Sequence, residues 1–281
     1  MKQDPDVQAN FIVIGPGKSG TSWVYELLLA HPDVCVSSAK ETLFFEDGFH
    51  SGVAWYHSFY KHWQGEPRVG EVSNTYIFSA LAARRMKAYN PALKLISTLR
   101  NPIERAFSHY LFLLRNGEMV SSFEDATRQQ PHLIERGLYF KHLSAYLEHF
   151  DRENLLCLLF DDLKEDAEAY AEQLFQFLDC GPLDDQDLFT KKVLPASKAR
   201  NKWVARSVKR SALAVREMGF PDLITKVKAS PLTRLLYKPF APGERPDMKP
   251  QTREHLKTYY QDDIEQLSTL LRRDLTEMWL K

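Results

Sequence analysis

Lys18, Thr21, Ser22, Glu41 and Arg100 are the residues whose types and surroundings could do chemistry. Lys18 lies inside Gly15-Pro16-Gly17-Lys18-Ser19-Gly20-Thr21-Ser22, a loop in which three glycines and a proline fall within six positions. When such a loop leaves a strand and enters a helix, its backbone N–H groups and the positive helix end converge on an anion. The Gly15-to-Gly20 spacing is that of a P-loop, but the usual Lys-Ser/Thr ending is absent and Thr21-Ser22 stands there instead. A lysine after the second glycine reaches the terminal phosphates of a nucleoside triphosphate, and the hydroxyl beside it holds magnesium. A lysine three places earlier suits a shorter anion, to which two hydroxyls donate without a metal. The bland alternative is a glycine turn between an ordinary strand and helix.

The elements that must position these residues follow from hydrophobic patterning. Phe11-Ile12-Val13-Ile14 is a short apolar run broken by glycine, the mark of a buried strand, and Val24 to Ala30 reads as the helix after the loop. Val34 to Ser37, Arg68 to Val72, Leu93 to Leu99 and Asn154 to Phe160 read as four further strands. Lys40-Glu41 falls just past the second of the five, at the carboxyl edge where ligands bind in open α/β sheets; otherwise it is a solvated charge pair beside a Phe44-Phe45 anchor. The strand ending at Leu99 finishes with Arg100 where a magnesium-binding strand would finish with aspartate, so this edge reads an anion and not a cation. Ser108, about two turns into the helix begun by Ile103, reaches the same anion if the arginine folds back. Residues 55–63 and 77–89, the stretch from Gly137 through Phe150, and 252–279 read as helical, and no internal repeat is present.

Gly-Pro-Gly-Lys-Ser-Gly-Thr-Ser resembles the 5′-phosphosulfate loop of sulfotransferases that use 3′-phosphoadenosine-5′-phosphosulfate (PAPS). Among these it is most similar to the branch holding the heparan sulfate N- and 3-O-sulfotransferase domains and their bacterial relatives. Leu29-Ala-His-Pro-Asp-Val34 and Arg100-Asn-Pro-Ile-Glu-Arg-Ala-Phe-Ser108 match the same branch. The resemblance implies that Gly17, Lys18, Ser19, Gly20, Thr21 and Ser22 cradle the 5′-phosphosulfate and that Arg100 and Ser108 hold the 3′-phosphate. It implies that Glu41, in Glu-x-x-Phe-Phe, is the catalytic base, with Lys18 neutralising the leaving phosphate. Tyr139 is implied to contact the adenosine, although core packing explains it nearly as well. Ser197-Lys198-Ala199-Arg200 is similar to a Ser-Lys-Gly-Arg loop that closes over the 3′-phosphate, with Ala199 in place of glycine. The family often shows Glu-Lys-Thr-Pro-x-Tyr where this chain has Glu71-Val72-Ser73-Asn74-Thr75-Tyr76, so its lysine is missing at Val72. A histidine frequent in the 3-O-sulfotransferases is likewise replaced by Leu43.

The 281 residues, 44% hydrophobic and 12% aromatic, supply a sizeable core. Lysine plus arginine equal aspartate plus glutamate at 37 each, so overall charge does not point to nucleic acid. Three cysteines without framework spacing suit reduced thiols and a cytoplasmic protein. The polar N-terminus and short first apolar run predict neither signal peptide nor membrane span, and His57 and His62 lack metal-ligand spacing, so no metal is predicted. Residues 191–216 hold nine lysines and arginines and no carboxylate, a solvated face or the rim of a site for an anionic acceptor. Five prolines within 230–250 read as an ordered loop or lid.

The expected architecture is one α/β domain over 1–281, a P-loop-like three-layer sandwich whose five-stranded parallel sheet carries helices on both faces. The expected function is sulfuryl transfer from PAPS to an acceptor hydroxyl, carbohydrate favoured, leaving 3′,5′-adenosine bisphosphate (PAP) and needing no metal. A small-metabolite alcohol or a carrier-bound acyl chain also fits as acceptor. The rivals are a P-loop kinase or NTPase, disfavoured by the missing lysine and aspartate, and a non-catalytic bisphosphate-binding module, disfavoured by Glu41 and Lys18.

Overall fold

A computed structural model describes residues 7–118, 121–183, 188–189, 197–199, 237–239 and 245–281. In chain order the first half contains β1 (Phe11–Gly15), α1 (Thr21–Ala30), β2 (Val34–Val36), α2 (Val53–His57), β3 (Arg68–Val72), α3 (Ala80–Tyr89), β4 (Lys94–Leu99), α4 (Pro102–Arg115), α5 (Phe123–Gln129) and α6 (His132–Glu135). Then come α7 (Tyr139–Leu147), β5 (Leu155–Leu159), α8 (Phe160–Glu165), α9 (Ala167–Phe177), β6 (Ser197–Ala199), β7 (Tyr237–Pro239), α10 (Pro250–Leu271) and α11 (Leu275–Leu280). Two compact units result, one from Met1–Arg100 with Lys141–Val193, the other from Asn101–Phe140 with Leu194–Lys281.

The first unit is built on a parallel sheet in the order β2-β3-β1-β4-β5. All five residues of the central strand β1 are buried, as expected of a strand covered on both faces. One face packs Phe11 and Val13 with Trp23, Leu27 and Leu28 of α1 and Tyr170, Leu174 and Phe175 of α9. Truncating a leucine buried as fully as Leu27 or Leu28 to alanine costs roughly 2–5 kcal/mol. Gly70 faces Phe11 in the register, and a Cβ there would lie 2.2 Å from the Phe11 carbonyl oxygen and 2.7 Å from its ring. Only glycine lets β3 close against β1 at that point. Tyr56 of α2 and Tyr89 of α3 meet edge to face, and the Tyr146 hydroxyl of α7 donates to the Tyr76 carbonyl.

β1 leads through α1 to β2 and β3 on one side, while β4 pairs on its other side. The loop after β1 therefore sits where the strand order reverses, the crevice at which open α/β sheets bind ligands.

The second unit opens on α4. Asn101 caps it by accepting from the N–H groups of Ile103 (3.0 Å) and Glu104 (3.3 Å), with Pro102 in the first turn; both are helix-start devices. Asn101 also donates to the Trp279 carbonyl of α11 (2.8 Å). Arg253 of α10 pairs with Glu104 at 2.7 Å, and Tyr260 donates to the Ile134 carbonyl at 2.7 Å. The C-terminal stretch read as one helical section is interrupted after Leu271, where Arg272 takes φ 54° and ends α10. β6 and β7 form an antiparallel pair with Lys198 opposite Lys238. The segment read as a lid is strand at Tyr237–Pro239 and helix from Pro250. Most of the basic run at 191–216 lies outside the described residues. No described helix is long and apolar enough to cross a membrane.

Candidate active site

The glycine loop is anchored at both ends by the neighbouring strands. Ser97 of β4 donates its buried hydroxyl to the Gly15 carbonyl (2.9 Å), and the Gly17 N–H donates to the Asn74 carbonyl just past β3 (3.2 Å). Gly15 has φ 104°, and a Cβ on it would sit 2.4 Å from the Asn74 oxygen, so no other residue fits. Lys18 itself adopts φ 76°, unusual for a side-chain-bearing residue. Helix α1 begins at Thr21 after Gly20 (φ 94°), with no side-chain cap and no acidic residue in its first turn. Its first N–H groups are thus not covered by a side chain of the kind that usually satisfies them. Ser19 is fully buried, and its Oγ has no hydrogen-bond partner among the described residues.

Arg100, directly after β4, comes back onto this loop. Its guanidinium donates to the Lys18 carbonyl (3.3 Å) and lies 5.0 Å from the centre of the Phe160 ring. Lys40 donates to Ser22 Oγ (3.0 Å), and its ammonium lies 5.2 Å from the centre of the Tyr25 ring. The first unit therefore brings Lys18, Ser19, Ser22, Lys40 and Arg100 to one loop.

Glu41 reaches the same place through β3. Its N–H donates to the Val72 carbonyl (3.0 Å), it takes φ 63°, and its carboxylate accepts a short hydrogen bond from the Asn74 side-chain amide. Glu41-Thr42 is held from below by a buried carboxylate. Glu71, fully buried on β3, accepts from Thr42 Oγ1 (2.6 Å), Ser73 Oγ (2.9 Å) and the Tyr76 hydroxyl (3.0 Å). Thr42 Oγ1 in turn accepts from the Phe44 N–H at 3.2 Å. Burial pushes the Glu71 carboxyl above its ordinary 4.5, against these hydrogen bonds, which favour the charged form.

That shift has a signed consequence. A folded state that holds the Glu71 proton more tightly than the unfolded chain loses stability as pH rises above 4.5. In urea unfolding between pH 4.5 and 8, Glu71→Gln is expected to lack that fall, whereas the parent shows it. Parallel curves for the two proteins would remove Glu71 as its source.

Ser108 and Tyr139 belong to the second unit. Ser108 is half-buried on α4, and Tyr139 is fully buried with its ring edge-to-face on Trp279 at 6.2 Å. Lys198 and Ala199 form β6, and Arg200 lies outside the described residues. Three contributors escaped the sequence reading: the amide of Asn74, the Lys40 contact with Ser22, and the Glu71 hub. The one local signal was Asn74 in the position where the family pattern carries proline. Among the described residues no three His, Cys, Asp or Glu side chains form a metal-binding group.

Strand, glycine loop and helix without a side-chain cap at a sheet switch point, with a lysine, an arginine and a carboxylate tied to it, define an α/β protein with a glycine loop at the carboxyl edge of its sheet. The model of the sulfotransferase domain matches residues 8–216, and the chain belongs to that family. It is 31% identical over 176 residues to heparan sulfate glucosamine 3-O-sulfotransferase 3B1 of Mus musculus, covering 59% of this chain and 45% of that protein. It is 28% identical over 194 residues to the bifunctional heparan sulfate N-deacetylase/N-sulfotransferase 2 of Homo sapiens, covering 61% of this chain and 22% of that one. The chain thus spans less than half the length of these relatives. A sulfotransferase from Alicyclobacillus acidocaldarius shares the fold, with a TM-score of 0.69 at 23% identity over 98% of this chain and 100% of its own.

Proposed function

We propose that the chain transfers a sulfuryl group from PAPS to an acceptor hydroxyl, with carbohydrate as the favoured acceptor class. The observation that carries this reading is the tie of Glu41, through Asn74, to the glycine loop that holds Lys18. The residues present fit the donor. Ser19 Oγ is a buried polar atom awaiting a partner, and α1 offers a helix start without a side-chain cap. Gly17 to Ser22 hold the 5′-phosphosulfate, Lys18 neutralises charge on the departing phosphate oxygen, and Arg100 and Ser108 take the 3′-phosphate. Lys198, Ala199 and Arg200 add to that grip, and Tyr139 supports the adenosine side. The donor supplies the sulfuryl group: an acceptor O–S bond forms as the S–O bond to phosphate breaks. Glu41 takes the acceptor's proton in that step, and PAP leaves. With Lys18 and two hydroxyls at the loop, no metal is needed.

The two relatives named above act, by their names, on heparan sulfate and its glucosamine, which supports a sugar acceptor. The family match runs through segments of both compact units, supporting their service as one sulfotransferase domain. Free thiols at Cys35, Cys157 and Cys180 suit a reducing compartment such as the cytoplasm.

Thermal shift tests the nucleotide. Two anion sites make PAP raise the melting temperature well beyond AMP or ATP without magnesium, since a ligand at 100 times its Kd adds about 2.7 kcal/mol. Equal shifts from AMP and PAP would remove the 3′-phosphate site, and a larger shift from magnesium–ATP would favour a kinase.

A further inference from the structure

We infer that Asn74 is the positioning residue that fixes the Glu41 carboxylate against the glycine loop, an inference that rests on the reading of Glu41 as the base. Three observations converge on this one residue. Its backbone carbonyl accepts from the Gly17 N–H and leaves no room for a Cβ on Gly15. Its side-chain Nδ2 donates to Glu41 Oε1. Its Oδ1 is buried with no partner among the described residues.

The third observation separates a positioning role from a stabilising one. A buried acceptor left unpaired is unfavourable, and an apolar side chain of similar size would avoid that cost. The amide is therefore retained for its N–H, and the group that receives it is Glu41. Residue 74 is bonded by its main chain to the phosphosulfate loop and by its side chain to the base, so it sets the distance between them. Proline, the residue of the family pattern at this place, has no side-chain donor with which to do this. Glu41 needs such a tether because its φ of 63° leaves the backbone in a sparsely populated region. The Glu41 carboxylate must also be held at a fixed orientation to take a proton as the acceptor attacks.

A double-mutant cycle on the full chain reads the tether without any activity. Asn74→Asp sets a second carboxylate beside Glu41 and should lower the melting temperature; Glu41→Gln in the same molecule restores an amide–carboxylate pair with the roles reversed and should recover it. Additive shifts would overturn the tether. Function is read as transfer from PAPS to water, with PAP release as the signal, so that no acceptor need be known. Asn74→Leu should lower kcat about 10²-fold, the effect of a misplaced catalytic group, with KM for PAPS and PAP affinity unchanged. Parental kcat in Asn74→Leu would overturn the role, as would loss of PAP binding together with turnover. A parent that neither binds PAP nor releases it from PAPS would instead overturn the sulfotransferase reading, and the melting cycle would still decide whether Asn74 holds Glu41.

Discussion

Glu41→Gln is expected to slow sulfuryl transfer by about 10²–10⁴-fold, the usual contribution of a positioned general base. A hydroxyl attacks sulfur poorly while it keeps its proton, and a carboxamide cannot take that proton. Glutamine retains the oxygen that accepts from Asn74 and the main-chain bond to Val72, so the turn at 41–45 keeps its supports. PAP affinity and melting temperature should stay near parental. Asn74 is a structural partner of Glu41, and Gln is the substitution that respects it. Steady-state turnover against the most active acceptor in a screen of heparan-type oligosaccharides, simple alcohols and phenols measures the effect. A variant keeping a tenth of parental turnover would place the base elsewhere.

Lys18→Met should cost about 10²–10³ in kcat, the scale of removing one donor aimed at charge that develops in the transition state. Lys18 is proposed to meet the phosphate oxygen as the S–O bond breaks, so the loss should appear in turnover more than in PAPS affinity. The backbone supplies a control. With φ at 76°, the lysine occupies a region that disfavours any side chain, whereas glycine enters it freely. Lys18→Gly should therefore keep or raise the melting temperature while losing activity like Lys18→Met. If Lys18→Gly lowers the melting temperature and Lys18→Met keeps its turnover, Lys18 serves the fold and not the chemistry.

The strands were legible because each buried one is a short apolar run bounded by turn residues. β3 matches the residues expected, while β2, β4 and β5 lie within the spans read for them. The loop was legible because a strand that turns tightly into a helix with positive-φ positions at Gly15 and Gly20 demands glycines at fixed intervals. Arg100 was legible from its place after β4, but its bond to the Lys18 carbonyl was not, since 82 residues separate them. Glu71 and Asn74 stayed hidden for a similar reason. They reach residues 41 and 42 because β3 pairs with β2, the strand those residues follow, and no local pattern announces which side chains that pairing brings face to face. The bend at Arg272 was equally hidden, because apolar periodicity continues across it and a left-handed arginine leaves no compositional mark.

The placement of β1 has one more consequence. Proteins open piecemeal, and segments with the deepest burial and most complete strand pairing exchange their amide protons last. β1 is flanked by β3 and β4 and buried along its whole length, and both Gly15 and the segment carrying Asn74 hang directly from this centre. The proposed nucleotide grip and the proposed base are thus fastened to the part of the first unit that local fraying reaches last.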